Sequence, residues 1–236
     1  MSIIYMIRHG QATFGEADYD RLSPKGKQQA RIVANQLCRL NTRFDAVYTG
    51  TLVRQRQTCQ VMAETYAEKQ QPLPAARVIP ELDEYDAATI WCHLRGEILA
   101  DHPKLTDNPD QWRNNPKAFQ RIFSRVVNRW VAGEHALDIL ESWPAFRQRV
   151  ARGLGHIMQA EGPGKRIAVF SSAGPVAVAV QMATDLPDDR CVGLSWQILN
   201  AGITRFLYHK HQFTLTGFND VAALEMEGGL DLLTYR

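Results

Sequence analysis

The sequence has few cysteines, and they are not arranged to hold a metal or a disulfide framework. Its 236 residues contain four cysteines, none of them in a C-x-x-C pair. The histidines are also scattered, without the H-E-x-x-H spacing of a helical zinc site. Widely spaced thiols are typical of a reduced intracellular protein. We therefore expect a cytoplasmic protein that uses no metal and no other cofactor.

Long apolar runs and a strong charge imbalance are absent as well. The longest stretch of small apolar residues, around 176–180, is far shorter than the roughly 20 residues that span a bilayer. The N-terminal apolar run precedes Arg8, whereas an export leader begins with its basic residues. A net charge of +2 without a basic stripe argues against nucleic acid as a partner. We expect neither a membrane nor a nucleic-acid partner, and a homo-oligomer stays open.

No linker, low-complexity tract or internal repeat divides the chain. A hydrophobic content of 45% over this length is enough to bury one substantial α/β core. We predict a single domain over residues 1–236.

Strand and helix patterns alternate through most of the chain. Strands are predicted at residues 3–7, 45–48, 77–79 and 167–170, with a closing pair at 203–208 and 213–217. Helices are predicted from Ser23-Pro24, over 52–66, over 141–159 and from Gly174. The fold class is therefore α/β: a three-layer α/β/α sandwich with a mostly parallel central sheet.

Residues 86–140 depart from this alternation. They are rich in aromatic residues and interrupted by proline, and the aromatic residues are Trp91, Trp112, Phe119, Phe123 and Trp130. We predict a helical insertion over the active edge of the sheet. Most of these rings are expected to pack the core of the insertion, and one or two to face a ligand.

Arg8-His9-Gly10 directly follows the first predicted strand. Ligands of open α/β sheets bind beyond the carboxyl ends of the strands, which is where this tripeptide falls. A neutral imidazole is a nucleophile near pH 7, and a guanidinium binds phosphate oxygens through paired hydrogen bonds. Taken alone the tripeptide is weak evidence, because a histidine at a strand end is more often structural.

Further segments follow in a fixed order. Residues 4–11 read I-Y-M-I-R-H-G-Q, residues 22–30 fit L-S-x-x-G-x-x-Q-A, and residues 48–58 are similar to S-x-L-x-R-x-x-Q-T. Residues 81–84 are similar to an L-x-E acid motif, and residues 141–146 to E-S-x-x-x-F. Together these blocks resemble the histidine phosphatase superfamily, which includes the cofactor-dependent phosphoglycerate mutases. The likeness covers essentially the whole chain.

The resemblance implies a role for each matching residue. His9 would accept a phosphoryl group, and Arg8 and Arg54 would bind its oxygens. Arg54 lies near the start of a predicted helix, whose first N–H groups also favour an anion, whereas Arg56 faces another side and is expected at the surface. Glu84 would be the general acid, with neighbouring acids that raise its pKa.

One block departs from the family pattern. Where most members have a second histidine, as in V-S-H-G-G, this chain has Ser172. A serine hydroxyl donates one hydrogen bond to a phosphoryl oxygen but brings no charge. Ala173 begins the strand-to-helix turn, where backbone N–H groups face an anion. Ser172 and Ala173 are therefore predicted phosphate ligands, and His93 and His135 are candidates to compensate for the lost imidazole.

From these residues and the resemblance, we predict a phosphatase that acts on a small phosphorylated metabolite through a phosphohistidine on His9. A phosphoglycerate mutase is the first alternative, although residues 11–20 lack the Trp-Asn-rich stretch of mutases and Ser172 disfavours retention of the phosphoryl group. The second alternative is a phospho-ligand sensor that keeps the fold without efficient chemistry.

Overall fold

A mixed β-sheet forms the centre of the protein. The computed structural model describes residues 1–13, 19–103, 105, 115–135, 141–209 and 212–235. Within them the strands are β1 (Ser2–Arg8), β2 (Ala46–Thr49), β3 (Ala76–Val78), β4 (Arg166–Ser171), β5 (Ile203–His209) and β6 (Gln212–Asp220). The strand order is β3-β2-β4-β1-β5-β6, in which the first four strands are parallel and the last two antiparallel.

Helices connect and cover these strands. They are α1 (Pro24–Arg39), α2 (Val53–Glu68), α3 (Ala87–Asp101), α4 (Pro116–Ala132), α5 (Trp143–Glu161), α6 (Ala173–Thr184), α7 (Asp188–Ser195) and α8 (Ala222–Gly228), with 3₁₀ turns at Pro80–Leu82 and Gly229–Leu232. Helix α1 begins as predicted, because the Ser23 side chain accepts a hydrogen bond from the Gly26 N–H at 3.0 Å and Pro24 follows it. None of the helices within the described ranges is long and apolar enough to cross a membrane.

The core lies on both faces of the sheet. In β1, Ile4 and Met6 pack toward the side of α5 and α6, while Ile7 packs toward α1 and α2. Strand β4 divides in the same way, with Ile167 on the first side and Phe170 on the second. This alternation follows from the two-residue period of a strand, and it confirms the three-layer α/β/α fold.

The aromatic middle of the chain is helical where it is described. Trp91 of α3 contacts Phe119 and Phe123 of α4, with ring centroids 5.0 and 6.2 Å apart. Trp130 is fully buried, and its Nε1–H donates to the Glu141 carbonyl at 2.8 Å. The first three rings pack among themselves as expected, whereas Trp130 contacts rings outside the segment, those of Tyr85, Trp143 and Phe146. Trp112 lies outside the described residues. That this segment covers the active edge stays a prediction.

Candidate active site

His9 lies just beyond β1, at the carboxyl edge of the parallel strands. Its backbone N–H donates to the Ser171 carbonyl of β4 at 2.9 Å, and the residue is only 4% exposed. Nδ1 lies 2.8 Å from the carbonyl oxygen of Gly10, so this nitrogen carries the hydrogen and donates. Nε2 accepts a hydrogen bond from Nε of Arg54 at 3.2 Å. The lone pair of His9 is therefore on Nε2, facing the arginine.

The surroundings keep this imidazole neutral. Burial, followed by the positive charges of Arg54 and Arg8, holds the pKa of His9 well below its ordinary value. A histidine with a lowered pKa has its nucleophilic lone pair available at neutral pH.

The turn that carries His9 is fixed by its neighbours. The Gly10 N–H donates to Oγ1 of Thr58 at 3.0 Å, and Nδ2 of Asn200 donates to the His9 carbonyl at 3.1 Å. A Cβ on Gly10 would lie 2.3 Å from the carbonyl oxygen of Gly26, so the close approach of the two chains requires glycine. Thr58 ends the sequence block over residues 48–58 but was given no role, and Asn200 was not found, because both act through contacts between distant segments.

Arg54 is held by a carboxylate that the sequence did not single out. Its Nη1 lies 2.6 Å from Oδ1 of Asp20, and the Arg54 side chain is buried. Asp20 also accepts from the N–H groups of Val53 and Arg54, at 2.8 and 3.4 Å. The start of α2 thus binds an anion as expected, but that anion is supplied by the chain itself. Arg56 is exposed, as predicted.

Replacing Arg54 by lysine tests the need for this planar group. We expect Arg54→Lys to lower kcat/KM for a phosphate ester by about 10²-fold, since lysine keeps the charge but loses the forked donors. Arg56→Lys, two residues further along the same helix, is the matched control and should leave the kinetics unchanged. Equal effects at both positions would contradict a specific role for Arg54.

Arg8 is buried at the end of β1. Its Nη1 and Nη2 donate to the backbone carbonyls of Ile198 and Tyr235, the second at 2.7 Å. Burial lowers the pKa of Arg8 to about 10, so the guanidinium stays charged at neutral pH. Within the described part of the chain, its Nε has no hydrogen-bond partner. Phosphate binding by Arg8 therefore stays a prediction.

Glu84 lies at the N-terminus of α6. Its Oε2 accepts from the Gly174 N–H at 3.1 Å and its Oε1 from the Tyr85 N–H at 3.3 Å. Burial raises the pKa of Glu84, against these hydrogen bonds and the charges of Arg54 and Arg8. A carboxyl group with a raised pKa keeps its proton closer to neutral pH, as a general acid must.

The turn before Glu84 is held by Arg149, which the sequence did not reveal either. Nη1 of Arg149 donates to the carbonyls of Glu81 and Asp83, both at 3.0 Å. Its Nε lies 2.7 Å from Oε1 of Glu141, so the guanidinium is itself held in place. Arg149 thus fixes the backbone from which the Glu84 side chain extends.

Glycine at position 174 makes room for the Glu84 carboxyl group. A Cβ there would lie 2.1 Å from Oε1 of Glu84. Gly174→Ala is expected to displace the carboxyl group and lower kcat by about 10²-fold, a typical effect of a misplaced catalytic group. Gly155→Ala, at a position on α5 where a Cβ meets open space, is the matched control. An unchanged kcat for Gly174→Ala would show that the position of Glu84 is unimportant.

Ser172 lies directly after β4, at the position of the missing histidine. It is fully buried, and its Oγ accepts a hydrogen bond from Nε2 of Gln55 at 2.9 Å. Ala173 is the first residue of α6, and the neighbouring Gly174 N–H is already bonded to Glu84. Phosphate binding by Ser172 and Ala173 stays a prediction.

The structure gives no support to the two histidines considered as compensating groups. His93 is exposed on α3, and His135 follows the end of α4. In the described part of the structure, neither ring forms a hydrogen bond to His9, Arg54 or Glu84. Their compensating role therefore stays a prediction without support from these contacts.

The carboxyl edge of the sheet gathers two arginines and an imidazole, as in α/β proteins that bind an anionic ligand there. Residues 4–221 match the family model of the histidine phosphatase superfamily (branch 1), and the chain belongs to this superfamily. The resemblance of the sequence motifs is confirmed.

Individual relatives share parts of this chain or its fold. A 2-carboxy-D-arabinitol-1-phosphatase of Triticum aestivum is 30% identical over 122 residues, which are 48% of this chain but only 22% of that protein. Two solved structures are similar over nearly the whole chain. A mutant phosphoserine phosphatase of Entamoeba histolytica, in complex with phosphoserine, has a TM-score of 0.64 and 19% identity, covering 95% of this chain and 100% of that one. A phosphoglycerate mutase of Bacillus anthracis has a TM-score of 0.65 and 15% identity, covering 94% and 95%. These two likenesses concern the fold alone.

Proposed function

We propose that this protein is a phosphatase that hydrolyses a small phosphorylated metabolite through a phosphohistidine on His9. The observation that carries the proposal is the state of the imidazole. Nδ1 bonds to the Gly10 carbonyl at 2.8 Å, and Nε2 holds its lone pair beside Arg54 at 3.2 Å. A buried, neutral imidazole between two guanidinium groups suits nucleophilic attack on a phosphate ester.

In the first step, the Arg54 Nε–H leaves Nε2 of His9 for a phosphoryl oxygen, Nε2 attacks phosphorus, and the ester P–O bond breaks. The electron pair of that bond goes to the leaving oxygen, which takes a proton from the Glu84 carboxyl group. Arg8 and Arg54 stabilise the charge on the phosphoryl oxygens as the group is transferred. The products are the free alcohol and a phosphoryl group on His9.

In the second step, water attacks the phosphorus and the N–P bond breaks. The Glu84 carboxylate accepts the proton of the water and so regains its acid form. The electron pair of the N–P bond returns to Nε2. Two arginines supply the positive charge that the transferred group needs, so the proposal assigns no role to a metal or another cofactor.

The family membership and the partial match to a 2-carboxy-D-arabinitol-1-phosphatase support hydrolysis of a phosphomonoester. We also propose a cytoplasmic location, since all four cysteines are free thiols and three of them are buried. The substrate proposed is a small metabolite rather than a nucleic acid, in line with the small net charge.

The test separates hydrolysis from transfer. The protein is incubated with an aryl phosphate that carries phosphorus-32, with and without a second alcohol such as 3-phosphoglycerate, and both phenol and labelled inorganic phosphate are measured. A phosphatase releases the two in equal amounts under both conditions. A shortfall of inorganic phosphate when the acceptor is present would show transfer, and would favour the mutase alternative.

Ser172 is the observation that favours the sensor alternative, because it leaves the pocket without the charge of a second histidine. A sensor would bind inorganic phosphate, yet release phenol no faster than His9→Ala. A wild-type rate well above that variant would exclude the sensor for this class of substrate.

A further inference from the structure

A glutamine side chain is buried beside the serine that replaces the second histidine. Gln55 is fully buried on α2, next to Arg54 in the sequence. Its Nε2 donates to Oγ of Ser172 at 2.9 Å and to the Leu82 carbonyl at 3.3 Å. Both N–H bonds of the carboxamide are thereby used, and they join α2 to the end of β4 and to the turn before Glu84.

The fold provides a fitted place for this carboxamide. A Cβ on Gly50 would lie 2.0 Å from Oε1 of Gln55, so the side chain needs a glycine at the end of β2. Within the described residues, that Oε1 is buried without a hydrogen-bond partner. A buried, unpaired carbonyl oxygen costs free energy that an apolar side chain of the same size would not. The position therefore carries a polar group at the expense of stability, which is a feature of functional sites.

The hydrogen bond from Gln55 determines what the Ser172 hydroxyl can do. The Ser172 oxygen accepts from the amide, and no side-chain bond caps the helix that follows. Over the described ranges, the structure gives this oxygen no other partner, so the hydroxyl hydrogen remains free to be donated. A hydroxyl whose oxygen accepts a hydrogen bond is also a stronger donor.

The register of the sheet places Ser172 beside His9 at the carboxyl edge. Arg8 of β1 pairs with Ser171 of β4, so His9 and Ser172 are the first residues beyond two neighbouring parallel strands. The His9 N–H also donates to the Ser171 carbonyl. A phosphoryl group on His9 would thus form beside Ser172.

We propose that Gln55 and Ser172 act as a pair in place of the second histidine of the family. Ser172 donates its hydroxyl hydrogen to a phosphoryl oxygen, and Gln55 is a positioning residue that holds the hydroxyl for that donation. The inference rests on the proposed phosphatase function and deepens it. Because neither side chain titrates, this donor works unchanged over the whole pH range in which the fold is stable.

A double-mutant cycle on the full-length protein tests the pair. The variants are Gln55→Leu, Ser172→Ala and the double variant, assayed with an aryl phosphate, and Gln60→Leu is the control at an exposed position of the same helix. We expect kcat to fall about 10-fold for Gln55→Leu and about 10²-fold for Ser172→Ala, as for loss of a transition-state donor. The double variant should be no slower than Ser172→Ala, because Gln55 acts through Ser172.

A second readout distinguishes positioning from a structural role. Vanadate mimics the five-coordinate transition state, whereas inorganic phosphate resembles the ground state. Gln55→Leu should weaken inhibition by vanadate about 10-fold and change the affinity for inorganic phosphate by less than about 2-fold. If Gln55→Leu does not fold, Gln55→Asn withdraws the amide from Ser172 by one methylene, and the same outcomes are expected.

The possible failures are distinct. If the wild type is no faster than His9→Ala, the proposed phosphatase function fails and the pair has no reaction to serve. If the wild type depends on His9 but the Gln55 and Ser172 losses multiply to about 10³-fold in the double variant, the two residues act independently and the inference is overturned. An unchanged kcat for Gln55→Leu would overturn it as well.

Discussion

His9→Ala is expected to lower kcat/KM for an aryl phosphate by about 10⁴-fold, the largest effect of any single substitution in this site. The variant loses the nitrogen that would form the covalent intermediate, so water would have to attack the substrate directly. The arginines and Glu84 remain, and for this reason binding of inorganic phosphate should persist. The measurement is steady-state hydrolysis, combined with titration of phosphate by calorimetry.

The matched control is His156→Ala, at an exposed position on α5, which should retain the wild-type rate. A His9→Ala variant that keeps more than about a tenth of the activity would contradict covalent catalysis by this residue. Loss of phosphate binding together with activity would instead indicate that the substitution had disturbed the site as a whole.

Glu84→Gln is expected to have an effect that depends on the leaving group. An alkoxide needs a proton to leave, so kcat for an alkyl phosphate should fall about 10²- to 10⁴-fold, the usual contribution of a general acid. A nitrophenolate leaves without protonation, and with such a substrate the loss in the first step should be far smaller. Glu68→Gln, exposed at the end of α2, is the control. Equal losses with both substrates would argue against proton donation by Glu84.

The pH profile tests the same assignment. Burial raises the pKa of Glu84. Because Glu84 donates a proton, only its protonated form is active, and the rate should fall as pH rises through that raised pKa. Burial and two arginines lower the pKa of His9, whose neutral form is the active one. The acidic limb of the pH–rate profile should therefore lie below the ordinary pH range of histidine titration. In Glu84→Gln the alkaline limb should disappear while the acidic limb remains. Since wild type and variant act on the same ester, its own ionisation cancels in the comparison.

Local sequence patterns predicted the layers and most of the strands. The start of α1 was predicted because its signals are local. Pro24 directly follows Ser23, and the Ser23 side chain caps an N–H only three residues further along. The third strand was predicted one residue too late, over 77–79 instead of Ala76–Val78. Ile79 precedes the 3₁₀ turn that begins at Pro80 and lies outside the paired strand. Helices α7 and α8 were not predicted, because eight and seven residues give too little periodicity.

The contacts that define the site were largely beyond a local reading. The motifs indicated His9 and Arg54, yet the carboxylate that holds Arg54 comes from Asp20, which lies in none of the sequence motifs. The Gln55–Ser172 bond joins residues 117 positions apart, and the Glu84–Gly174 bond joins residues 90 apart. Such pairs arise only when the parallel strands bring their carboxyl ends together, and neither residue's own neighbourhood in the sequence indicates them.

The central claim is a phosphoryl group on His9, and rapid capture of that group tests it most directly. The protein is mixed with an aryl phosphate, quenched in alkali that preserves phosphohistidine, and analysed by intact mass and peptide mapping. We predict a single phosphoryl adduct on the peptide that contains His9, lost on acid treatment and absent from His9→Ala. Steady release of inorganic phosphate without such an adduct, or with an adduct on another residue, would contradict this mechanism.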